Sequence, residues 1–379
     1  MSLTAARPAE IAAEVARRPF TFGVEEEFLL LDPDTWANRP VAEQARLTLP
    51  PAMHERSRSE FRRSMFEMVT PVCTDARRLR GHLLDNRRAA AGSAAAVGAR
   101  LVAVGATPVA EPDRAVVDTP RFHAIARHYG PIAHDPALCG VHVHVGVPDR
   151  ALAIQACNAI RPWLPVVQAI TANSPFHAGA DTGHASWRAI ALERWPSLGP
   201  APYLDSPEDY DRTVQELVDT GVMLDASMVL WWARPSSRYP TVEVRVGDVC
   251  PTADDTVLVA ALVRGLVATA VADVAAGRPA LRPPEHLLRA AHWNAAHAGL
   301  DGTLTDLRVR EPRPAWQLVD ELVARTGPAL ERHDDRETVR AGLAALRERG
   351  NGATRQRRVH ARGGLPAVLD DLAAATTSG

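Results

Sequence analysis

Four short segments of this chain read as strands: VHVHVGV (141–147) and TVEVRVGD (241–248) alternate apolar and polar residues sharply, GVEEEF (23–28) lies in a strand-like alternating stretch, and SMFEMVT (64–70) is a further strand candidate. Alternation at a period of two belongs to a β-strand, in which successive side chains point to opposite faces. Glu25 and Glu27 therefore share a face, with Glu26 on the other. Glu67 points away from Phe66 and Met68. His142 and His144 share a face opposite a row of valines, and Glu243 and Arg245 lie opposite Val242, Val244 and Val246. Each strand is dry on one side, and on the other carries groups able to hold a metal or an anion. Alone, any of these strands reads as the solvated outer face of an antiparallel sheet. On one sheet, the four collect carboxylates, imidazoles and a guanidinium in a single concavity.

The rest of the chain reads as helices and long loops around those strands. Thr74-Asp75 can cap a long Ala/Arg/Leu helix running towards Gly98, and Pro148-Asp149 opens another over roughly 151–172. Ser206-Pro207-Glu208 starts a helix near 207–220, and an apolar helix covers about 254–276. Further helices follow near 284–298, 315–330 and 335–349. Residues 111–140, rich in Pro, Gly, Asp and His, read as a long functional loop. No repeat or flexible linker interrupts the pattern. The expectation is a polar lead-in over 1–19, with one short helix, followed by a single α+β domain over 20–379.

Composition removes several chemistries. None of the 43 basic residues is lysine, so a Schiff base with a lysine amine is excluded, and so is a Walker-A phosphate loop. A net charge of -2 gives no field for nucleic acid or an anionic membrane. The apolar run after Asp255 is broken by Arg264 and Asp273 and reads as a buried helix. The four cysteines form no CxxC pair, and the N-terminal stretch lacks a signal-like apolar core, so a reducing, cytoplasmic setting is expected.

The acidic set cannot stand bare. Two carboxylates about 4 Å apart repel by about 4 kcal/mol at an effective dielectric near 20. Glu25, Glu27, Glu60, Glu67 and Glu243 held together would exceed a typical domain stability of roughly 5–15 kcal/mol. They must be spread out, protonated or neutralised by divalent cations. Oxygen-rich ligation with one or two imidazoles suits Mg²⁺ or Mn²⁺ better than a closed zinc site. Arg245, beside Glu243, could serve an anionic oxygen or phosphoryl group.

These residues carry a resemblance. The segments G-V-E-E-E, F-E-M-V-T-P-V-C, C-G-V-H-V-H-V-G-V-P-D and V-E-V-R-V-G-D resemble the YbdK-type carboxylate–amine ligases, also called glutamate–cysteine ligase family 2. So do A-N-S-P-F, W-R-A-I-A-L-E-R-W-P and G-N-G-A-T-R-Q-R-R, in order from about residue 20 to 363. The resemblance implies a glutamine-synthetase-like fold, in which a curved antiparallel sheet forms a funnel for ATP, divalent metals and amino acids. It implies ATP-dependent joining of a carboxylate to an amine, with weak glutamate–cysteine ligase activity as the named reaction, and a homodimer. Its metal ligands map to Glu25, Glu27, Glu60, Glu67, His142 and Glu243, and its catalytic positions to Glu67, Glu243 and Arg245. By the same resemblance His144 could serve substrate, Arg188 could clamp a carboxylate, and Arg355 and Arg357, with Arg358, could join Arg245 in covering phosphates. His292 and Asn294 gain no role from spacing.

Glutamate with cysteine or another amine are the expected substrates, activated through an acyl phosphate. Two rivals remain at this stage. One is a metal-dependent hydrolase of the HxH type, which resembles a barrel with HxH on an early strand. The other is a dimeric binding protein of the ligase fold without turnover.

Overall fold

The computed structural model describes residues 6–378. All four strand candidates fall in one seven-stranded antiparallel sheet. Its strands are β1 (Phe22–Leu31), β2 (Ser57–Arg58), β3 (Met65–Val69), β4 (Arg100–Val102), β5 (Gly140–Gly146), β6 (Ala233–Pro235) and β7 (Thr241–Asp248). The spatial order is β6-β7-β5-β1-β3-β2, with β4 pairing Leu29–Leu31 of β1. This is the expected α+β architecture, an antiparallel sheet flanked by helices. The HxH strand sits inside an open sheet, next to the ExE strand, so the barrel that the hydrolase alternative requires is not formed.

One face of the sheet is dry. Val24, Val141, Val143, Val145, Val242 and Val244 pack into a core completed by the helix Ala253–Ala275. That helix is long and apolar enough to cross a membrane, yet 78% of its most apolar window is buried inside the protein. Helix Ala6–Arg17, in the expected lead-in, packs against it through Ala12 and Val15. The first five residues of that lead-in lie outside the described residues. Beyond Glu27 the alternation of β1 ends, and Phe28–Leu31 are all buried in a second core cluster.

Two ion pairs sit inside this dry region. Glu26, on the apolar face between Met68 and Val141, takes Arg87 Nε at 2.9 Å and Nη2 at 2.5 Å, with both side chains almost fully enclosed. Arg87 also donates to the carbonyls of Cys250 and Pro251, so its guanidinium joins β1 to the start of the apolar helix. Within that helix, Arg264 pairs with buried Asp335 at 2.5 Å, and its guanidinium carbon lies 3.8 Å over the Phe22 ring. Of the two charges that interrupt the apolar run, Arg264 is thus consumed internally, and Asp273 pairs with Arg278 at 2.7 Å and Arg325 at 2.5 Å.

The structure departs from the sequence reading in three places. The segment 111–140 is not all loop: Thr119 caps a helix Pro120–Tyr129, with Pro120 in its first turn, and a tight helical turn Gly130–His134 follows. The helix expected over 151–172 is three pieces, Arg150–Ile160, Arg161–Trp163 and Leu164–Thr171, because Pro162 and Pro165 cannot donate backbone hydrogen bonds. The chain after Gly350 forms a long helix, Gly352–Thr377, kinked at Gly364, where φ is 70°.

Removing Arg87 would strand the Glu26 carboxylate in the core. Arg87→Met is expected to lower unfolding free energy by about 3–5 kcal/mol, whereas the double change Glu26→Leu/Arg87→Met should recover most of it. Urea unfolding of both variants checks this, and a single variant as stable as the parent would contradict it.

Candidate active site

The strand register sets out the opposite face residue by residue. Glu27 stands directly across from Glu67, Glu25 from His142, and His144 from Glu243. Arg58 flanks the row beyond Glu67, and Arg234 flanks it beyond Glu243. Glu60 enters from the turn between β2 and β3 and lines the same cavity as Glu27 and His142. All the carboxylates, imidazoles and the guanidinium expected on the four strands therefore meet on one surface. Arg245 arrives differently from the simple alternation. A register shift between Val244 and Gly247 makes a bulge there, and Arg245 N–H donates to Trp232 O at 2.9 Å instead of pairing with β5. Such bulges re-aim side chains next to active sites.

The protein neutralises two of these carboxylates itself. Glu25 is opposed by burial, but hydrogen bonds and charge from His142 (3.1 Å) and His144 (3.4 Å) hold its carboxyl well below the usual range. Burial also opposes ionisation of Glu243, yet Arg245 at 2.9 Å and Arg234 at 3.1 Å bring its pKa down to about 2. The uncompensated part is the Glu27–Glu67 pair on β1 and β3. Burial raises the Glu27 carboxyl, although Gly140 N–H donates to its Oε2 at 2.6 Å. Burial raises Glu67 well above the ordinary value, and the charges of Glu60, Glu25 and Glu27 push it further.

The donor set fits a divalent cation on the Glu27–Glu67 side. A carboxylate only accepts, so in the neutral ring, the form that can ligate a metal, His142 Nδ1–H donates to Glu25 and the Nε2 lone pair is left free. That nitrogen is buried, has no hydrogen-bond partner, and lies 3.8 Å from Glu27 Oε1. An oriented imidazole beside carboxylates short of positive charge is the chemistry of a hard-metal site. Among the described residues, no three such side chains already converge as a closed cage.

Two cavities flank this strip. The larger, about 760 Å³, lies over the start of β1, with Glu25, His144 and Thr241 on its floor and Arg18, Arg56 and Arg58 at its side. The smaller, about 250 Å³, has Glu27, Glu60, His142, Arg188 and Arg245 against a largely apolar wall.

Arg188 is not a surface-loop arginine. It sits in the helix Trp187–Leu192, capped by Ser186, and is 3% exposed. Its guanidinium lies over Gly140, where an added Cβ would come 2.3 Å from Nη2. Its hydrogen bonds are long ones to the carbonyls of Val246 (3.4 Å) and Arg245 (3.5 Å), Asp248 is 3.9 Å away, and Nε has no partner. Burial lowers its pKa, with Asp248 and Glu27 opposing. A buried cation held this loosely is suited to an incoming anion.

Asp248 escaped the sequence reading. Asn173 N–H, Ser174 Oγ and Ser186 Oγ all donate to it, at 2.8, 2.7 and 2.7 Å, so two separated segments converge on one carboxylate behind Arg188. The basic segment near 355 is a correction in the other direction. Arg355 pairs with Asp371 at 2.7 Å and Arg357 with Asp181 at 2.8 Å, both from the helix that Asn351 caps, and neither lines the two cavities. Arg358 donates to Arg349 O. Its glycines and Asn351 serve packing instead: Gly352 lets the backbone approach Asn173. His292 is buried, its Nδ1 is 2.6 Å from Gln168 Oε1, and burial depresses its pKa to about 3.

Comparison with known proteins follows the same lines. The sequence profile of glutamate–cysteine ligase family 2 matches residues 21–371. A protein of Salinispora arenicola, provisionally named glutamate–cysteine ligase 2, is 62% identical over 98% of both chains. A protein of Salinispora tropica with the same provisional name is 63% identical over 94% of this chain and 95% of its own. Among solved structures, the glutamate–cysteine ligase of Francisella tularensis in complex with AMP aligns with TM-score 0.70 at 12% identity, covering 95% of this chain and 89% of that one. The bifunctional glutathione synthetase of Pasteurella multocida aligns with TM-score 0.69 at 14% identity over 97% of this chain, which spans about half (53%) of that longer protein. These two alignments share the fold described above.

The raised Glu67 carboxyl has a consequence for stability in chelator-treated protein. Its folded pKa exceeds the unfolded value, so its stabilising contribution is full below the unfolded pKa and is lost as pH rises through the folded one. Glu67→Gln should therefore flatten the fall in urea midpoint as pH rises above the ordinary glutamate range, and leave the variant more stable than the parent at the alkaline end. An unchanged pH profile would remove the desolvated carboxylate from the account.

Proposed function

We infer the activity of this chain from the family to which it belongs, glutamate–cysteine ligase family 2: it is an ATP-dependent ligase that joins the side-chain carboxylate of glutamate to an amine. The observation that carries this reading is the face itself, where buried carboxylates short of positive charge lie between two cavities. One cavity suits a nucleotide in size and in its arginines, the other an amino acid.

Glu27, Glu60, Glu67 and His142 would hold Mg²⁺, with Mn²⁺ able to replace it, and Glu25 and Glu243 would border it. The bound cation would supply charge neutralisation at the phosphate oxygens. Arg188 holds the substrate's α-carboxylate. Arg245, held by Glu243, faces the phosphoryl group as negative charge shifts onto it. A γ-carboxylate oxygen of glutamate attacks the terminal phosphorus of ATP, ADP departs, and an acyl phosphate remains. The amine nitrogen then attacks the acyl carbon, the C–O bond to phosphate breaks, and the nitrogen loses a proton. No protein nucleophile takes part, and the chain contributes positioning and electrostatics. His144, held through Nδ1 by Thr241 at 2.9 Å, orients Glu25 in the lining of the larger cavity. The same reading includes a cytoplasmic homodimer, and the four buried free cysteines accord with a reducing compartment.

Glutamate-dependent ADP release with ATP and Mg²⁺, together with mass spectrometry of the product, tests the reading. Glu67→Gln and Glu243→Gln should each lower turnover by at least about 10²-fold while circular dichroism stays unchanged. Near-normal turnover in both would remove the site assignment. Gly140→Ala, whose methyl group would displace the Arg188 guanidinium, should raise KM for glutamate about tenfold or more while leaving KM for ATP near its parent value.

A further inference from the structure

We propose that the amine joined by this chain carries a bulky apolar group, aromatic or branched aliphatic, in place of the small thiol side chain of cysteine. The inference rests on the ligase reading above and concerns the smaller cavity.

The charged groups of that cavity lie to one side, on the sheet and at Arg188, where the acid substrate and the phosphoryl group are handled. Its other wall is built from different parts of the chain. Phe122, Ile125 and Leu138 come from the segment that folds over the sheet after β4, Phe61 from the turn before β3, and Trp195 from the end of the Arg188 helix. Phe61 meets Phe122 edge-on at 5.4 Å between ring centroids and Trp195 edge-on at 6.4 Å, and Tyr129 supports Trp195 from behind at 5.0 Å. All three cavity rings are only partly buried, so apolar surface faces the space beside the acyl group.

The polar groups on this wall are already occupied. The Arg62 guanidinium is spent on the carbonyls of Arg114, Ala133 and Asp135, and the Asp135 carboxylate is paired with Arg194 at 2.6 Å. What remains to recognise an acceptor is apolar and aromatic area. A cysteine seated there would leave most of that area facing water, whereas a phenyl or branched alkyl group would cover it. Apolar pockets discriminate by such contacts, and each methylene lost or gained changes kcat/KM by roughly 10–200-fold.

The test compares acceptors on the intact chain with ATP, Mg²⁺ and glutamate, following ADP and product mass with phenethylamine, isopentylamine, L-phenylalanine, L-leucine and L-cysteine. The expected result is a kcat/KM for at least one apolar acceptor about tenfold or more above that for cysteine. Phe122→Ser and Trp195→Ser should then bring the ratio towards one, mainly through KM for the apolar acceptor. The ranking by the unmodified chain stands without these variants should either fail to fold. Glutamate-dependent turnover with cysteine preferred overturns this inference and leaves the ligase reading intact. Absence of glutamate-dependent ADP release with every acceptor overturns the ligase reading beneath it. An apolar preference unchanged in both folded variants overturns the assignment to this wall.

Discussion

Glu27 and Glu67 face each other across two hydrogen-bonded strands, both buried, with Glu60 close by and no arginine between them. Adjacent positions in an antiparallel ladder bring side chains within about 5 Å of each other, where like charges destabilise. The fold places these charges on the central strands and then arranges everything else around that cost. Histidines quench Glu25, arginines quench Glu243, and the opposite face is valine on β5 and β7 and Val24, Phe28, Phe66 and Met68 with the paired Glu26 on β1 and β3, so that the sheet is held from behind. The uneven neutralisation matters more than the number of carboxylates. A row fully matched by arginine would be a structural ion-pair ladder, with no demand left for an ion from solution.

Much of this was legible in the sequence because a β-strand's period of two is exact. Once GVEEEF, VHVHVGV, SMFEMVT and TVEVRVGD are read as strands, the faces of Glu25, Glu27, Glu67, His142, His144 and Glu243 follow, and the register confirms them. The strand order did not follow from the pattern, nor did the bulge that redirects Arg245. Both depend on which strand lies alongside and on where a ladder hydrogen bond is lost. Glu26 shows the limit of parity reasoning: its face could be assigned, but its partner lies 61 positions away on a helix. Asp248 was invisible for the same reason, since the serines that hold it are 62 and 74 residues upstream. Arg355 and Arg357 lie in glycine-rich basic sequence that also starts a helix, and their ion pairs with Asp371 and Asp181, elsewhere in the chain, could not be read from it.

The absence of lysine bears on how the interior is built. Among the described residues five arginines, Arg62, Arg87, Arg161, Arg188 and Arg264, lie nearly or wholly out of water. A lysine buried to that depth would shed its proton readily, whereas a guanidinium stays charged and offers five donors in a fixed fork. Arg87 uses that fork to hold both oxygens of Glu26 and two backbone carbonyls at once, tying strand, long helix and apolar helix into one unit. Arg264 does the same between the apolar helix and Asp335. Arg188 has the same chemistry and similar burial but lacks a close carboxylate; its fork rests on long carbonyl contacts with one nitrogen unpaired. Burial alone therefore does not distinguish a structural arginine from a binding one here. The distinction lies in how many of the five donors the protein has already filled, and by that measure Arg188 keeps donors free that Arg87 and Arg264 have spent.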